Sequence, residues 1–196
     1  MMNKTKNQAR LKPLPRPARL PRLPAGMPSR LRGIRLFLCD VDGILTDASV
    51  FMGDGGEFKQ FDVRDGFGLR LLQRNGLKVG WISNRPSNAT TRRAEELKVD
   101  FLQQLKGSKL EAATAILEQG GFDWASTAYM GDDLVDLGLF RRVGLAVTVP
   151  GALDEVRQLA DYVTQNAGGR GAVRELAELI LKAQGKWGSL VEDYAA

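Results

Sequence analysis

The run Leu36-Phe37-Leu38-Cys39-Asp40-Val41-Asp42-Gly43-Ile44-Leu45-Thr46 places two aspartates one residue apart at the end of an apolar stretch. Carboxylates set against a buried strand are costly unless a cation or a reacting group compensates them. The chain has no histidine, and its one cysteine, Cys39, lies inside the apolar run. Carboxylates are therefore the natural candidates for both nucleophile and proton shuttle. That combination points to aspartyl-phosphate chemistry with a hard, oxygen-seeking metal ion. Three further polar groups stand at strand ends or at the opening of a helix. Ser83-Asn84-Arg85 comes after Ile82, Lys109 after Gln103-Gln104-Leu105-Lys106-Gly107-Ser108, and Gly131-Asp132-Asp133 after Met130, with Asp136 one turn on.

In an open α/β sheet, ligands sit beyond the carboxyl ends of the strands. At that level Asp40 can attack phosphorus in line. Asp42, beyond the turn, can protonate the leaving oxygen and later activate water. Asp132 would join Asp40 in holding Mg²⁺, an ion usually bound by one or two carboxylates together with water and phosphate. Ser83 can donate to a phosphoryl oxygen. Lys109 can neutralise another, near a helix N-terminus that itself favours anions. Gly43 supplies the sharp turn and close backbone approach. Each residue alone has a plainer reading: a turn, a helix cap, a solvated lysine. Four such elements in order, three at strand ends and Lys109 opening a helix, favour the catalytic one.

The elements that must position these groups are legible as alternating apolar runs and helical patterns. Strands are predicted at 34–39, 78–82, 100–102, 127–130, 144–148 and 161–164, and helices at 66–75, 87–98, 109–119, 133–140, 152–159 and 171–184. Gly76 and Gly120 are expected helix stops, and Ser108 with Glu111 has capping-box spacing. The alternation predicts an α/β fold, a Rossmann-like parallel sheet with helices on both faces. One stretch breaks the rhythm: Ser49-Val50-Phe51-Met52 and Glu57-Phe58-Lys59-Gln60-Phe61 flank Gly53-Asp54-Gly55-Gly56, a projecting β-hairpin. No segment is long enough for a cap domain, so the site is expected to be open in a single chain.

The 196 residues suffice for one domain with a sizeable core, and no apolar stretch reaches the length of a membrane helix. The net charge of +5 is unevenly held. Residues 1–33 carry nine of the 28 cationic side chains and no acid, which leaves 19 against 23 acids in the rest. The body is thus mildly acidic, and nucleic-acid binding does not follow from the basic pI. We expect 1–33 to be a basic, Pro/Arg-rich disordered leader, 34–186 the phosphohydrolase domain and 187–196 a C-terminal tail. A lone cysteine fits a reducing cytoplasm.

The pattern resembles the haloacid-dehalogenase-like phosphohydrolases, with the Asp40–Thr46 segment as first motif, Ser83 second, Lys109 third and Gly131-Asp132-Asp133 fourth. The hairpin, the segment Phe61-Asp62-Val63-Arg64-Asp65-Gly66-Phe67-Gly68, Ala160-Asp161-Tyr162-Val163-Thr164 and Gly168-Gly169-Arg170-Gly171-Ala172-Val173-Arg174-Glu175 narrow it. They resemble the capless subgroup that contains 3-deoxy-D-manno-octulosonate 8-phosphate phosphatase. The resemblance implies a Mg²⁺-dependent phosphatase in lipopolysaccharide precursor synthesis, acting in the cytoplasm on a small sugar phosphate. It implies Asp40 as nucleophile and Asp42 as acid and base, with the metal on the Asp40 and Asp132 carboxylates and the Asp42 carbonyl, supported by Asp133. It also implies a homotetramer whose hairpins associate and whose subunits cover one another's sites. Arg64 and Arg85 become substrate contacts or structural ion-pair partners, and Gly169 and Arg170 part of a tail that closes over substrate. Asn84, Leu105 and Ala48 depart from the family pattern without removing a catalytic group. A nonulosonate 9-phosphate is the competing substrate. A non-catalytic scaffold binding an acidic partner is the alternative of another class, and a sugar-phosphate mutase is disfavoured because it would need a cap.

Overall fold

Every residue of Leu36–Cys39 is buried, as a strand covered on both faces must be. This segment is the centre of the fold. The computed structural model of the protein describes residues 20, 22–54 and 56–196. In chain order the elements are α1 (Met27–Gly33), β1 (Leu36–Cys39), β2 (Phe51–Gly53), β3 (Gly56–Phe58), α2 (Val63–Arg74), β4 (Lys78–Ser83), α3 (Asn88–Leu97), β5 (Phe101–Gln104) and α4 (Lys109–Gly120). There follow β6 (Thr127–Met130), a 3₁₀ turn (Leu134–Asp136), α5 (Leu137–Phe140), β7 (Leu145–Thr148), α6 (Asp154–Leu159), β8 (Tyr162–Val163), α7 (Ala172–Ala183) and α8 (Trp187–Asp193).

Six strands form one parallel sheet in the order β5-β4-β1-β6-β7-β8, and β2 and β3 form a separate antiparallel pair. The chain moves outward from β1 to β5 and then returns to the other side of β1 with β6. That reversal is a topological switch point, where the loops after two neighbouring strands diverge and leave a crevice. Register sets what meets there. Cys39 pairs with Trp81 on one side and Met130 on the other, so Asp40 is level with Ile82 and Gly131, one residue short of Ser83 and Asp132. The Asp40 amide donates to the Met130 carbonyl at 2.9 Å and fixes that alignment. Helices α1, α2 and α7 pack together, while α4, α5 and α6 pack with the 3₁₀ turn as a second group.

Local chemistry explains the helix starts. Asp62 accepts from the Arg64 amide at 2.7 Å and caps α2, and Ser108 accepts from the Glu111 amide at 3.3 Å and caps α4. The stop after α4 falls at Gly121, in the left-handed region, rather than at Gly120, which is the last helical residue.

Three expectations are corrected. The predicted helix over 133–140 is a 3₁₀ turn followed by the four residues of α5, because Asp133 and Asp136 form a capping box that tightens its start. The leader does not run to residue 33. Met27 and Leu31 of α1 are 2% and 0% exposed. Burying two such side chains is worth about 1.5–3 kcal/mol each, enough to hold a seven-residue helix that would not form alone. Pro28 stands in the first turn, where its missing N–H costs nothing. The earlier part of that leader, residues 1–19 and 21, lies outside the described residues. At the other end, the expected tail contains α8, whose Trp187 and Leu190 pack against the core. Among the described residues no helix is long and apolar enough to cross a membrane.

Candidate active site

The turn after β1 and the turn after β6 meet at the switch point. Gly43 has φ +89°, and a Cβ there would lie 2.0 Å from Asp132 Oδ2, so only glycine lets the two loops approach this closely. Asp40, Asp132 and Asp136 each bring one carboxylate oxygen within 4.8 Å of the others.

One cation stands among them. Lys109, 3% exposed at the first turn of α4, places Nζ 2.6 Å from Asp40 Oδ2 and 2.7 Å from Asp136 Oδ1. Burial alone would lower its pKa, but Asp40 and Asp136 outweigh that and hold the ammonium above its ordinary range. Three acids against one lysine leave negative charge over. Burial, with repulsion from Asp136 and only partial relief from Lys109, pushes Asp40 up to about 6. Burial, then the charges of Asp40 and Asp136, push Asp132 up to about 7.

Asp136 is not a free ligand, although it lies in the cluster. Its Oδ1 also accepts from the buried Tyr129 hydroxyl at 2.6 Å, and its Oδ2 accepts from the Asp132 and Asp133 amides at 2.9 and 3.1 Å. With all its acceptor sites engaged, it anchors Lys109 and the turn that carries Asp132. Asp40 and Asp132 are then the side chains with oxygens to offer a divalent ion, and an all-oxygen set with excess charge fits Mg²⁺. Asp133 lies outside this cluster. It is exposed, and its Oδ1 accepts from the Leu134 amide at 2.6 Å, capping the 3₁₀ turn.

The remaining predicted residues fall in two groups. Ser83 is 1% exposed, and its hydroxyl donates to the Arg85 carbonyl and accepts from the Arg85 amide, both at 3.1 Å, so it shapes its own loop at the site's edge. Asp42 is not one of the three clustered carboxylates, and its Oδ1 lies 2.7 Å from Lys59 Nζ. Arg85 pairs with Glu57 of the hairpin at 2.7 Å. Arg64 pairs with Asp62 at 2.6 Å and donates to the Arg170 carbonyl at 3.1 Å. The tail motif lies on the first motif's loop: the Gly169 amide donates to the Ile44 carbonyl at 2.9 Å, and Arg170 pairs with Asp47 at 3.2 Å.

Sequence reasoning overlooked Tyr129, Lys59 and Asp65 as site-building residues and gave Asp136 no role. Asp65, 1% exposed, accepts from the Gly171 and Arg174 amides at 3.2 and 2.7 Å and pins the tail to α2. Asp136, four residues after Asp132, had a usable signal in its helical spacing. Lys59 had none.

Chemically, the site offers one strand-end carboxylate, a buried ammonium and a second carboxylate close enough to share a divalent ion with the first, at the carboxyl edge of a parallel sheet. This is a phosphoryl-transfer set. Comparison with known proteins agrees. The sequence model for haloacid dehalogenase-like hydrolases matches residues 82–176. The chain is 41% identical over 163 residues to 3-deoxy-D-manno-octulosonate 8-phosphate phosphatase KdsC of Escherichia coli, covering 83% of this chain and 87% of that protein. A crystal structure of 3-deoxy-D-manno-octulosonate 8-phosphate phosphatase from Moraxella catarrhalis, in complex with magnesium, phosphate and KDO, superposes with a TM-score of 0.83 at 38% identity, covering 86% of this chain and 97% of that one. The cobalt-bound phosphatase from Haemophilus influenzae gives 0.77 at 37% identity, covering 80% and 92%.

Proposed function

This chain belongs to the haloacid dehalogenase-like hydrolase family, together with the 3-deoxy-D-manno-octulosonate 8-phosphate phosphatases, and on that premise we propose that it hydrolyses that octulosonate phosphate to the free sugar acid and phosphate. The observation that carries the proposal is the meeting of Asp40, Asp132 and Lys109 at one strand-end crevice. The identity over most of the chain supports the choice of sugar. The product belongs to lipopolysaccharide precursor synthesis, and the cytoplasm is the compartment proposed for it.

Asp40 supplies the nucleophilic oxygen. Its Oδ1 accepts from the Val41 amide at 2.6 Å, and its Oδ2 is held by Lys109, so the carboxylate cannot rotate away from the crevice. Asp42 gives a proton to the leaving sugar oxygen and then takes one from the water that cleaves the aspartyl phosphate. Ser83 and Lys109 present donors to the phosphoryl oxygens. Asp40, Asp132 and the Asp42 carbonyl would hold Mg²⁺, with Asp133 outside them; when bound, the ion offsets repulsion between carboxylate and phosphate. Arg64, Arg85, Gly169 and Arg170 face the remainder of the sugar acid from the rim.

We further assign the chain to a homotetramer. Phe51, Met52 and Phe58 are 58%, 74% and 62% exposed on a two-stranded hairpin, an element of marginal stability by itself. Packing against other copies would cover them and narrow an otherwise open site. We place the catalytic body from α1 onward.

The test is direct. Purified protein with Mg²⁺ releases phosphate from 3-deoxy-D-manno-octulosonate 8-phosphate, more readily than from nonulosonate or hexose phosphates, and EDTA stops it. Asp40→Asn abolishes turnover in a protein that stays folded. Undiminished activity in that variant would remove the nucleophile.

A further inference from the structure

A buried lysine of the hairpin stands against the carboxylate assigned as acid and base. Lys59 follows β3, and its side chain is 0% exposed. Its Nζ lies 2.7 Å from Asp42 Oδ1 and donates to Asp42 Oδ2 at 2.9 Å and to Thr90 Oγ1 at 3.3 Å. Glu57 lies 3.7 Å away on the other side. Glu57 in turn accepts from the Ser87 hydroxyl at 2.7 Å and pairs with Arg85 at 2.7 Å. A continuous chain of charges therefore runs from Asp42 through the hairpin to the loop after β4.

Burying a lysine costs side-chain entropy and hydration, and the arrangement is tolerable only where the charge is closely paired. Holding the hairpin to α3 would need no more than Glu57 and Thr90. The close two-oxygen approach to Asp42 goes beyond that need. Asp42 has no other side-chain partner among the described residues. Its side chain keeps 22% of its surface exposed, so without Lys59 nothing would select one rotamer over another.

We propose that Lys59 is a positioning residue for the proton-transfer steps, holding the Asp42 carboxylate at the rim of the site and making its placement depend on how the hairpin packs. The proposal rests on the phosphatase reading. In the first step the Asp40 oxygen bonds to phosphorus, the ester P–O bond breaks, and Asp42 gives its proton to the leaving oxygen. In the second, Asp42 takes a proton from water, the water oxygen bonds to phosphorus, and the bond from phosphorus to Asp40 breaks. Misplacing Asp42 impairs both proton transfers but leaves anion binding by Lys109 and Ser83 intact. The defect therefore falls on kcat rather than KM.

Full-length wild type, Lys59→Met, Lys59→Gln and Lys59→Arg are compared with Mg²⁺ by rapid quench. The substrates are the octulosonate phosphate and a nitrophenyl phosphate, whose leaving group departs without a proton. On the sugar phosphate, Lys59→Met lowers kcat about tenfold to a hundredfold with KM within about twofold, in keeping with what general acid–base catalysis contributes. On the aryl phosphate it keeps the initial burst and slows only the turnover that follows, where Asp42 must still act as base. Lys59→Arg, whose charge still reaches Asp42, recovers most of the loss. Lys59→Gln, which keeps a donor in the pocket, gives the same reading if Lys59→Met does not fold. Unchanged kcat, or burst and turnover falling together, overturns the proposal. If wild type cleaves the aryl phosphate but not the sugar phosphate, the choice of substrate fails, and the ratio of burst to turnover still judges Lys59.

Discussion

Around the carboxyl ends of β1 and β6, Asp40 and Asp136 are buried and joined through Lys109, whereas the arginines at the rim of hairpin and tail are exposed and joined by single ion pairs. Asp40, Lys109 and Asp136 are 7%, 3% and 0% exposed, and Lys109 touches both acids. Arg64, Arg85 and Arg170 keep 66%, 44% and 54% of their side chains in solvent, each with one carboxylate partner. Exposed pairs of that kind are worth little. The difference follows the chemistry. A phosphoryl group is the same in every phosphate ester, so its groups can be locked in place by one chain. Under the proposed function, the rest of the substrate would be met by loops whose exposed ion pairs remain adjustable.

The hardest blow to this contrast is Lys109→Met. It leaves Asp40 and Asp136 buried without their cation, which costs about 3–5 kcal/mol in unfolding experiments. It also removes a donor aimed at developing charge, for a loss on the order of a thousandfold in kcat/KM. Mg²⁺ restores part of the stability and none of that activity. If Lys109→Met behaves like Arg85→Met, which removes only an exposed pair, the two regions are not different in kind.

Between them lies the tail. A Cβ on Gly168 would sit 1.7 Å from the Gly43 carbonyl, a backbone atom that cannot yield without moving the first motif. Gly168→Ala therefore lowers stability by about 1–3 kcal/mol and reduces turnover as well. Gly151→Ala, where nothing lies within 4 Å, changes neither measurably and serves as the control.

The division between what the sequence could and could not reveal runs along the same line. The sheet was legible because fully buried strands read as short apolar runs bounded by turn residues. The catalytic aspartates and Ser83 were legible because each lies at the end of such a run, and Lys109 because it opens the helix after the next one; a parallel sheet brings these ends together whatever the loops do. Lys59 was not. Phe58-Lys59-Gln60-Phe61 does not alternate apolar with polar residues, so its pattern assigns Lys59 no face, and the partner that buries it, Asp42, lies 17 residues away in the chain. Helix α1 was hidden by composition. Its proline and arginines match an extended leader, and only the tertiary contacts of Met27 and Leu31 override them.

Asp65 gives a pH handle on the tail. Burial pushes its pKa up to about 6, against the pull of hydrogen bonds from the Arg174 and Gly171 amides. An aspartate with a raised folded-state pKa binds more protons folded than unfolded between those two values. Its contribution is therefore full below about pH 4 and is lost as pH rises through about 6, by at most roughly 2–3 kcal/mol. Asp65→Asn, which can still accept from Arg174, should flatten the slope of stability between pH 4 and 7. Urea midpoints across that range measure it. A slope identical to wild type would mean that Asp65 stays ionised throughout and binds the tail as an anion.

The smallest effect on the fold should come from the hairpin tip, and there the contrast becomes most informative. Phe51, Met52 and Phe58 contribute little to the core of a single chain, since most of their surface is already in water. Met52→Ser with Phe58→Ser should therefore change the unfolding free energy of the dissociated chain, read from urea titration, by no more than about 0.5 kcal/mol. If those side chains are covered by other copies, the same pair of changes lowers the mass seen in sedimentation toward one chain. Turnover then falls with it, because Lys59 follows the strand that carries Phe58 and holds Asp42. A variant that dissociates while keeping full kcat would separate assembly from catalysis and confine the hairpin's role to association. A variant that stays assembled would mean that these apolar side chains are not what joins the copies, and would move the interface to the exposed Leu134, Val135 and Leu153 beside Asp132.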